Sequence, residues 1–333
     1  MKEYSGLTVE QIRRDVLPDK QPAVLKGLVG DWPAVREAQN SPEALVRYLK
    51  RHDSGAPVDA LMTRPEAEGL ISYNDAMSGF NFHRNRLPLS EIAAQVLRYA
   101  QFPKPPAVAA QSALIRDCLP GFAAENRLSV LDDTILPRIW LGNRITTPTH
   151  VDEWNNIACV VAGRRRFTLF PPEQIANLYI GPLDFAPTGA AMSMVSLQAP
   201  QLERYPKFRE ALAAALSAEL APGDAIFVPP LWWHHVESLE PLNVLVNYWW
   251  PEARGEVTDV DSGFDALLHG ILSIRALPPE TRRAWGAFFE HYVFGEPLKS
   301  TGHIPRERLG ILGELSAEQL SALRAHLAKK LSR

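Results

Sequence analysis

Apolar residues recur at helical spacing toward both ends of the chain, whereas the middle carries short apolar runs broken by Gly, Pro, Asn and Asp. Residues 8–17 predict a helix in which Thr8 is the N-cap and Gln11, three positions on, completes a capping box. Ala23-Val24-Leu25-Lys26-Gly27-Leu28 predicts a strand ended by its glycine. Ser41-Pro42-Glu43-Ala44 opens a second helix, with Ser41 as cap and Pro42 at the first helical position. Its apolar residues Leu45, Val46 and Leu49 fall on one face. Residues 90–99 carry a third amphipathic pattern through Ile92, Val96 and Leu97, and a Pro-rich connection follows at 101–106.

From about residue 107 to 251 the period shortens. Residues 139–141, 156–161, 165–170, 224–228, 234–239 and 243–249 each read as a strand. Ala162-Gly163 marks a hairpin-like turn, and Pro222-Gly223-Asp224 a strong turn. Residues 201–220, around Phe208, Leu212 and Leu216, read as a helical insertion. Helical periodicity returns at 264–274, 279–293 and 316–331, the last with a capping box from Ser316 to Gln319. Many short strands so punctuated predict a mainly β fold with flanking helices. Its jelly-roll core (a double-stranded β-helix) covers 107–251, α/β elements in 1–106 flank it, and a helical region occupies 252–333. A helical tail after a closed β core must bury its apolar stripe on the barrel or on a second copy.

With 333 residues, 46% of them hydrophobic, the chain can bury a large core. Its 35 basic and 38 acidic residues leave a net charge of −3, which gives the surface as a whole no attraction for nucleic acid or an anionic membrane. Two cysteines, Cys118 and Cys159, make neither a disulfide framework nor a thiolate zinc site. Residues 1–5 lack the apolar core of a signal peptide, and no apolar run reaches the roughly 18 residues of a membrane span. A soluble, cytoplasmic protein is expected.

The chemistry gathers around Thr147-Pro148-Thr149-His150-Val151-Asp152. On an extended strand, positions i and i+2 face the same way, so His150 and Asp152 present an imidazole and a carboxylate together. A second imidazole would complete a two-His, one-carboxylate triad, a set that leaves coordination positions open and suits non-haem Fe(II). Alone, the tripeptide also fits a surface turn with a polar pair. Downstream, Pro229-Pro230-Leu231-Trp232-Trp233-His234-His235 follows the Pro-Gly-Asp turn and one strand. Of two adjacent strand histidines, one faces in and one out. By the same parity Arg165 shares a face with Phe167 and Leu169, while Arg164 and Arg166 face the other way. Three solvated arginines are the plain alternative. A buried Arg165 needs a partner, and its planar fork can hold a carboxylate. Trp154, two past Asp152, and Trp249, on the face of Asn247, have the parity of the site. They form either an aromatic wall around a substrate side chain or ordinary core.

These motifs resemble the JmjC/cupin-like (cupin 8) Fe(II)- and 2-oxoglutarate-dependent oxygenases, and within them the group of the asparaginyl hydroxylase factor inhibiting HIF. The resemblance is carried by Thr147-Pro148-Thr149-His150-Val151-Asp152, Asn156, Arg165, Phe170-Pro171-Pro172, the His after the Trp pair, and Val246-Asn247-Tyr248-Trp249. It extends more loosely to 22–28 and to Asp31-Trp32-Pro33. It implies His150, Asp152 and His234 as the metal-ligating and catalytic triad, with His235 a packing residue. It implies Fe(II), 2-oxoglutarate and O2 as cofactor and cosubstrates. Arg165 and Thr147 would meet the C5 carboxylate of 2-oxoglutarate, with Asn156 and Asn247 adding hydrogen bonds. The implied reaction is hydroxylation of a C–H bond in a protein side chain or a small molecule, with release of succinate and CO2. The family often has Lys where Arg165 stands. Some members also use an upstream Tyr, which Ala107-Val108-Ala109-Ala110-Gln111-Ser112 lacks. The resemblance further implies a homodimer through the C-terminal helices. The alternatives are a non-catalytic cupin-like binding protein and a jelly-roll enzyme using another metal.

Overall fold

Strand pairing sorts the short apolar runs into two sheets. The computed structural model describes residues 1–187, 189–252 and 262–332, the side chains of 297 and 298 excepted. In chain order the strands are β1 (Lys2–Ser5), β2 (Ala23–Lys26), β3 (Pro57–Thr63), β4 (Phe82–Pro88), β5 (Val108–Leu114), β6 (Arg138–Gly142), β7 (Thr146–His150), β8 (Asn155–Ala162), β9 (Arg165–Phe170), β10 (Leu216–Leu220), β11 (Ala225–Val228), β12 (Trp233–Ser238) and β13 (Asn243–Trp250). One sheet runs β1-β2-β11-β8-β13-β6-β5-β3-β4, and the other β10-β9-β12-β7. The pair is the jelly-roll sandwich that the strand pattern predicts. Strands from the first hundred residues complete the larger sheet rather than standing apart from it.

Alternation within the strands decides what each face meets. Ala158, Val160, Ile226, Val228 and Leu245 of the large sheet pack on Phe167, Leu169, Val236 and Leu220 of the small one, forming the inner core. The opposite face of the large sheet, through Ile157, Cys159, Val161, Phe227, Val244 and Val246, is buried together with residues of the N-terminal helices. Ser41 caps the helix Pro42–His52 by accepting from the Ala44 N–H, and this helix contributes Leu45, Tyr48 and Leu49. The helix Leu89–Tyr99 contributes Leu89, Ile92, Ala93 and Val96. The Thr8–Gln11 capping box forms, although only one α-turn follows before a π-turn at Ile12–Val16.

The region expected to be a helical insertion divides. Phe208–Ala214 is helical, but Leu216–Leu220 is β10, antiparallel to β9. Leu216-Ser217-Ala218-Glu219-Leu220 alternates apolar and polar side chains, and an open edge on β9 rewards that period with backbone hydrogen bonds. At the Ala162-Gly163 turn, Gly163 has φ 71° and lies where a Cβ would fall 2.3 Å from Asn243 Oδ1, so the turn admits only glycine.

The described residues form two compact units that divide between 252 and 262. The boundary expected at 251/252 adjoins residues 253–261, which lie outside the described residues. The second unit holds the helices Gly263–Ile274, Pro279–Phe289 and Ala317–Leu331, none of which has a buried residue. Ser316 and Gln319 form their capping box. Among the described residues no helix is long and apolar enough to cross a membrane, and both cysteines are free and buried.

Candidate metal centre

Three side chains meet at one end of the inner core. His150 ends β7, Asp152 follows in the bend that leaves it, and His234 stands opposite His150 on β12. Their ligand atoms lie within 4.8 Å of one another, and His234 Nε2 is 3.6 Å from Asp152 Oδ2. The two imidazoles are tilted at 52° with centroids 4.2 Å apart. His150 Nδ1 lies 2.8 Å from the Pro148 carbonyl, and His234 Nδ1 lies 3.0 Å from the Trp232 carbonyl. A carbonyl only accepts, so each Nδ1 is the donor of this contact, which leaves each Nε2 as the nitrogen available to a metal. Burial, reinforced by the neighbouring His150, holds His234 well below the ordinary histidine range, against the opposing pull of Asp152, so its ring stays neutral. A neutral imidazole is the form that ligates a metal.

His235 faces the opposite side of the small sheet, where it pairs with Thr168. It is buried, neither ring nitrogen has a hydrogen-bond partner among the described residues, and burial pushes it down to about 3. It stands apart from the triad, as adjacent strand positions require.

Residues 150–156 span two strands, so the parity that links His150 to Asp152 does not extend along them. β7 ends at His150, the chain bends through 151–154, and Asn156 belongs to β8 in the other sheet. Parity therefore does not run from Asp152 to Asn156, nor to Trp154, which is 46% exposed. Asn156 faces the inner core for another reason: it lies opposite Trp249 on β13. Asn247, two residues before Trp249 and on the same face, donates from Nδ2 to Asn156 Oδ1 at 2.8 Å.

Thr147 reaches the inner face through an irregularity. It pairs with Val236, while His150 pairs with His234, so β7 spends one more residue than β12 between these two pairs. This bulge at Pro148-Thr149 lets Thr147 and His150 share a face although their spacing is odd.

Arg165 is buried on the inner face beside Phe167 and Leu169. Its Nε has no hydrogen-bond partner among the described residues, and burial pushes the guanidinium down to about 10. Arg166 instead bonds Glu219 and Glu237, and Arg164 bonds Glu240, on the outer face. Further inner-face atoms are buried without partners among the described residues: Trp140 Nε1, Asn247 Oδ1, and Ser238 Oγ, whose residue pairs with Arg165. Beside the unspent acceptor Asn247 Oδ1, the interior thus offers a set of unspent donors, one of them cationic, along the strands that lead away from the triad. That set suits a carboxylate, because a buried donor left unpaired costs about 1–3 kcal/mol.

Two contributors escape the sequence pattern. Trp140 is flanked by the apolar residues Ile139 and Leu141, and only its partner Leu245 reveals that it faces inward. Met192 forms an isolated antiparallel bridge with His150, and the Ser193 N–H donates to the Thr149 carbonyl at 2.8 Å. Met192 is therefore a buried neighbour of the His150 side chain. A single bridge has no period, so no pattern along residues 171–200 announces it.

Comparison with known proteins bears on the family and the fold. A family model described as "Cupin-like domain" matches residues 9–255. HSPB1-associated protein 1 of Bos taurus is 28% identical over 335 residues, covering 90% of this chain and 66% of that protein. Lysine-specific demethylase 8 of Xenopus tropicalis is 24% identical over 250 residues, covering 73% of this chain and 51% of the relative. Lysine-specific demethylase JMJ31 of Arabidopsis thaliana is 39% identical over 102 residues, 31% of this chain and 18% of the relative. The chain spans at most 66% of the length of these relatives. They do not single out the asparaginyl hydroxylase group.

Proposed function

This chain belongs to the cupin-like, JmjC-type domain family, and from that premise we propose that it is an Fe(II)- and 2-oxoglutarate-dependent oxygenase that hydroxylates a C–H bond. The observation that carries the reading is the triad itself: two imidazoles, each anchored through Nδ1 to a backbone carbonyl, and a carboxyl group, with ligand atoms all within 4.8 Å. His150, Asp152 and His234 would hold the iron. The N/O donor set and its incomplete coordination fit non-haem Fe(II). With 2-oxoglutarate and O2, iron at such a site supplies the oxidising power for hydroxylation, with succinate and CO2 as co-products.

The chain's own residues bind and orient. Arg165 holds the far carboxylate of 2-oxoglutarate through its unpaired Nε, assisted by Thr147 on the same face. Asn156 and Asn247 are bonded to each other, Asn247 Nδ2 donating to Asn156 Oδ1, so that Asn247 fixes the Asn156 amide and the Asn156 Nδ2 donor would add a hydrogen bond to the cosubstrate. Burial of this face limits water around the reacting atoms. The relatives are named for association with the protein HSPB1 and for lysine-specific demethylation, which favours a protein side chain over a small molecule as substrate. Trp154 is exposed enough to meet such a substrate. We also place the protein in the cytoplasm, as a homodimer.

The test is succinate release by the full chain with Fe(II), 2-oxoglutarate and a panel of peptides and metabolites. Turnover that disappears in His234→Ala and persists in His235→Ala is expected. Stoichiometric metal binding with no succinate under any condition would leave a binding protein instead.

A further inference from the structure

Asp152 lies outside regular structure, in the bend after β7. Its backbone is held by the Leu231 N–H, which donates to the Asp152 carbonyl at 2.8 Å, with Leu231 itself in the left-handed region at φ 64°. Its carboxylate has one hydrogen-bond donor among the described residues: Trp249 Nε1, 3.1 Å from Oδ2. Oδ2 is also the oxygen that lies 3.6 Å from His234 Nε2. The torsion that orients a carboxylate is broad and soft, so strand geometry alone does not aim its lone pairs.

Trp249 is well placed to aim them. It sits on β13 in the large sheet, opposite Asn156, while the imidazole ligands His150 and His234 stand on the small sheet. Trp140 packs against it edge-on, with ring centroids 6.4 Å apart and planes at 64°. Its N–H is a donor only, so it takes one lone pair of Oδ2 without competing as an acceptor. A donor fixed by the opposite sheet therefore sets the rotation of the carboxylate. We propose that Trp249 is a positioning residue for Asp152, holding the carboxylate in the orientation that ligates the metal, rather than a wall for the substrate. This rests on the metal-centre reading above.

Co(II) is the probe. It takes the same N and O donors, does not consume O2 on the timescale of a titration, and its visible absorption reports coordination. The full chain, Trp249→Phe, and a variant carrying the benzothiophene analogue of tryptophan at 249 are titrated by calorimetry and absorbance. The analogue replaces N–H by sulfur and keeps the bicyclic shape, so it answers the question even where the Phe variant does not fold. Both variants, where folded, should bind Co(II) about 10- to 100-fold more weakly, the usual cost of losing an outer hydrogen bond to a ligand, with altered visible bands, and the analogue variant should keep the metal-free melting temperature. Wild-type affinity and spectrum in the analogue variant would overturn the proposal. So would a change confined to the KM for substrate. Absence of Co(II) binding by the wild-type chain would instead overturn the metal-centre reading, which is a distinguishable failure.

Discussion

At the scale of single residues, neighbours in the chain carry opposite roles because a strand turns them to opposite faces. Arg165 is buried without an acidic partner among the described residues, whereas Arg166 is paired with Glu219 and Glu237 in partial exposure. Arg165→Ala should weaken 2-oxoglutarate binding by roughly 10- to 150-fold, the equivalent of about 1.5–3 kcal/mol for a charge-assisted hydrogen bond. Calorimetry in the absence of 2-oxoglutarate should show Co(II) affinity unchanged; equal cosubstrate affinity would remove Arg165 from the site. The adjacent histidines divide in the same way. His235→Phe removes two unpartnered buried nitrogens at similar volume, so it should be neutral or stabilising in thermal unfolding and leave metal binding intact. His234→Phe should abolish metal binding.

At the scale of elements, regular strands are where pattern and structure agree, and bends and bulges are where they part. β9 occupies the six residues its alternation predicts, with β12 on one side and β10 on the other. β10 was masked by a run of Ala and Leu that also suits a helix, and only the open edge of β9 decides its state. Arg166 links these strands across their outer face, yet its ion pairs are screened by water. Arg166→Ala should therefore cost less than about 1 kcal/mol in chemical denaturation. Gly163 behaves differently. In the turn between β8 and β9 it combines a positive φ with a close approach to Asn243, and Gly163→Ala should cost at least about 1–3 kcal/mol. A loss of a few tenths would show that the turn relaxes freely.

At the scale of the whole molecule, the two units differ in how they dispose of apolar surface. The sandwich buries its cysteines deeply: burial pushes Cys118 up to about 11 and Cys159 higher still. At pH 8 so little thiolate forms that an aromatic disulfide reagent should label neither cysteine in the native protein and both after unfolding. Rapid native labelling would reveal local opening. The helical unit instead exposes Leu268, Leu272, Phe288, Val293 and Phe294. Such surface calls for a partner, and a second copy of the chain supplies the same face by two-fold symmetry. Light scattering should give a dimer for the full chain and a monomer for Leu272→Asp with Phe288→Asp. A monomeric wild type at micromolar concentration would refute the dimer.

By itself the sequence determined the jelly-roll class, the principal core strands, the helical tail, and that Arg165 faces away from Arg164 and Arg166, because each rests on a period of two or of 3.6; that Arg165 is the buried one only the structure decided. It also carried the ligand types, because few side chains ligate iron. The meeting of His150 with His234 across paired strands was decided only by the tertiary structure. So were the bulge that turns Thr147 inward, the bend that separates Asp152 from Asn156, the bridge that sets Met192 beside His150, and the bond from Trp249 to Asp152. Each of these depends on register between segments far apart in the chain, and register is set by which edges find each other in the folded sheet, not by any local pattern.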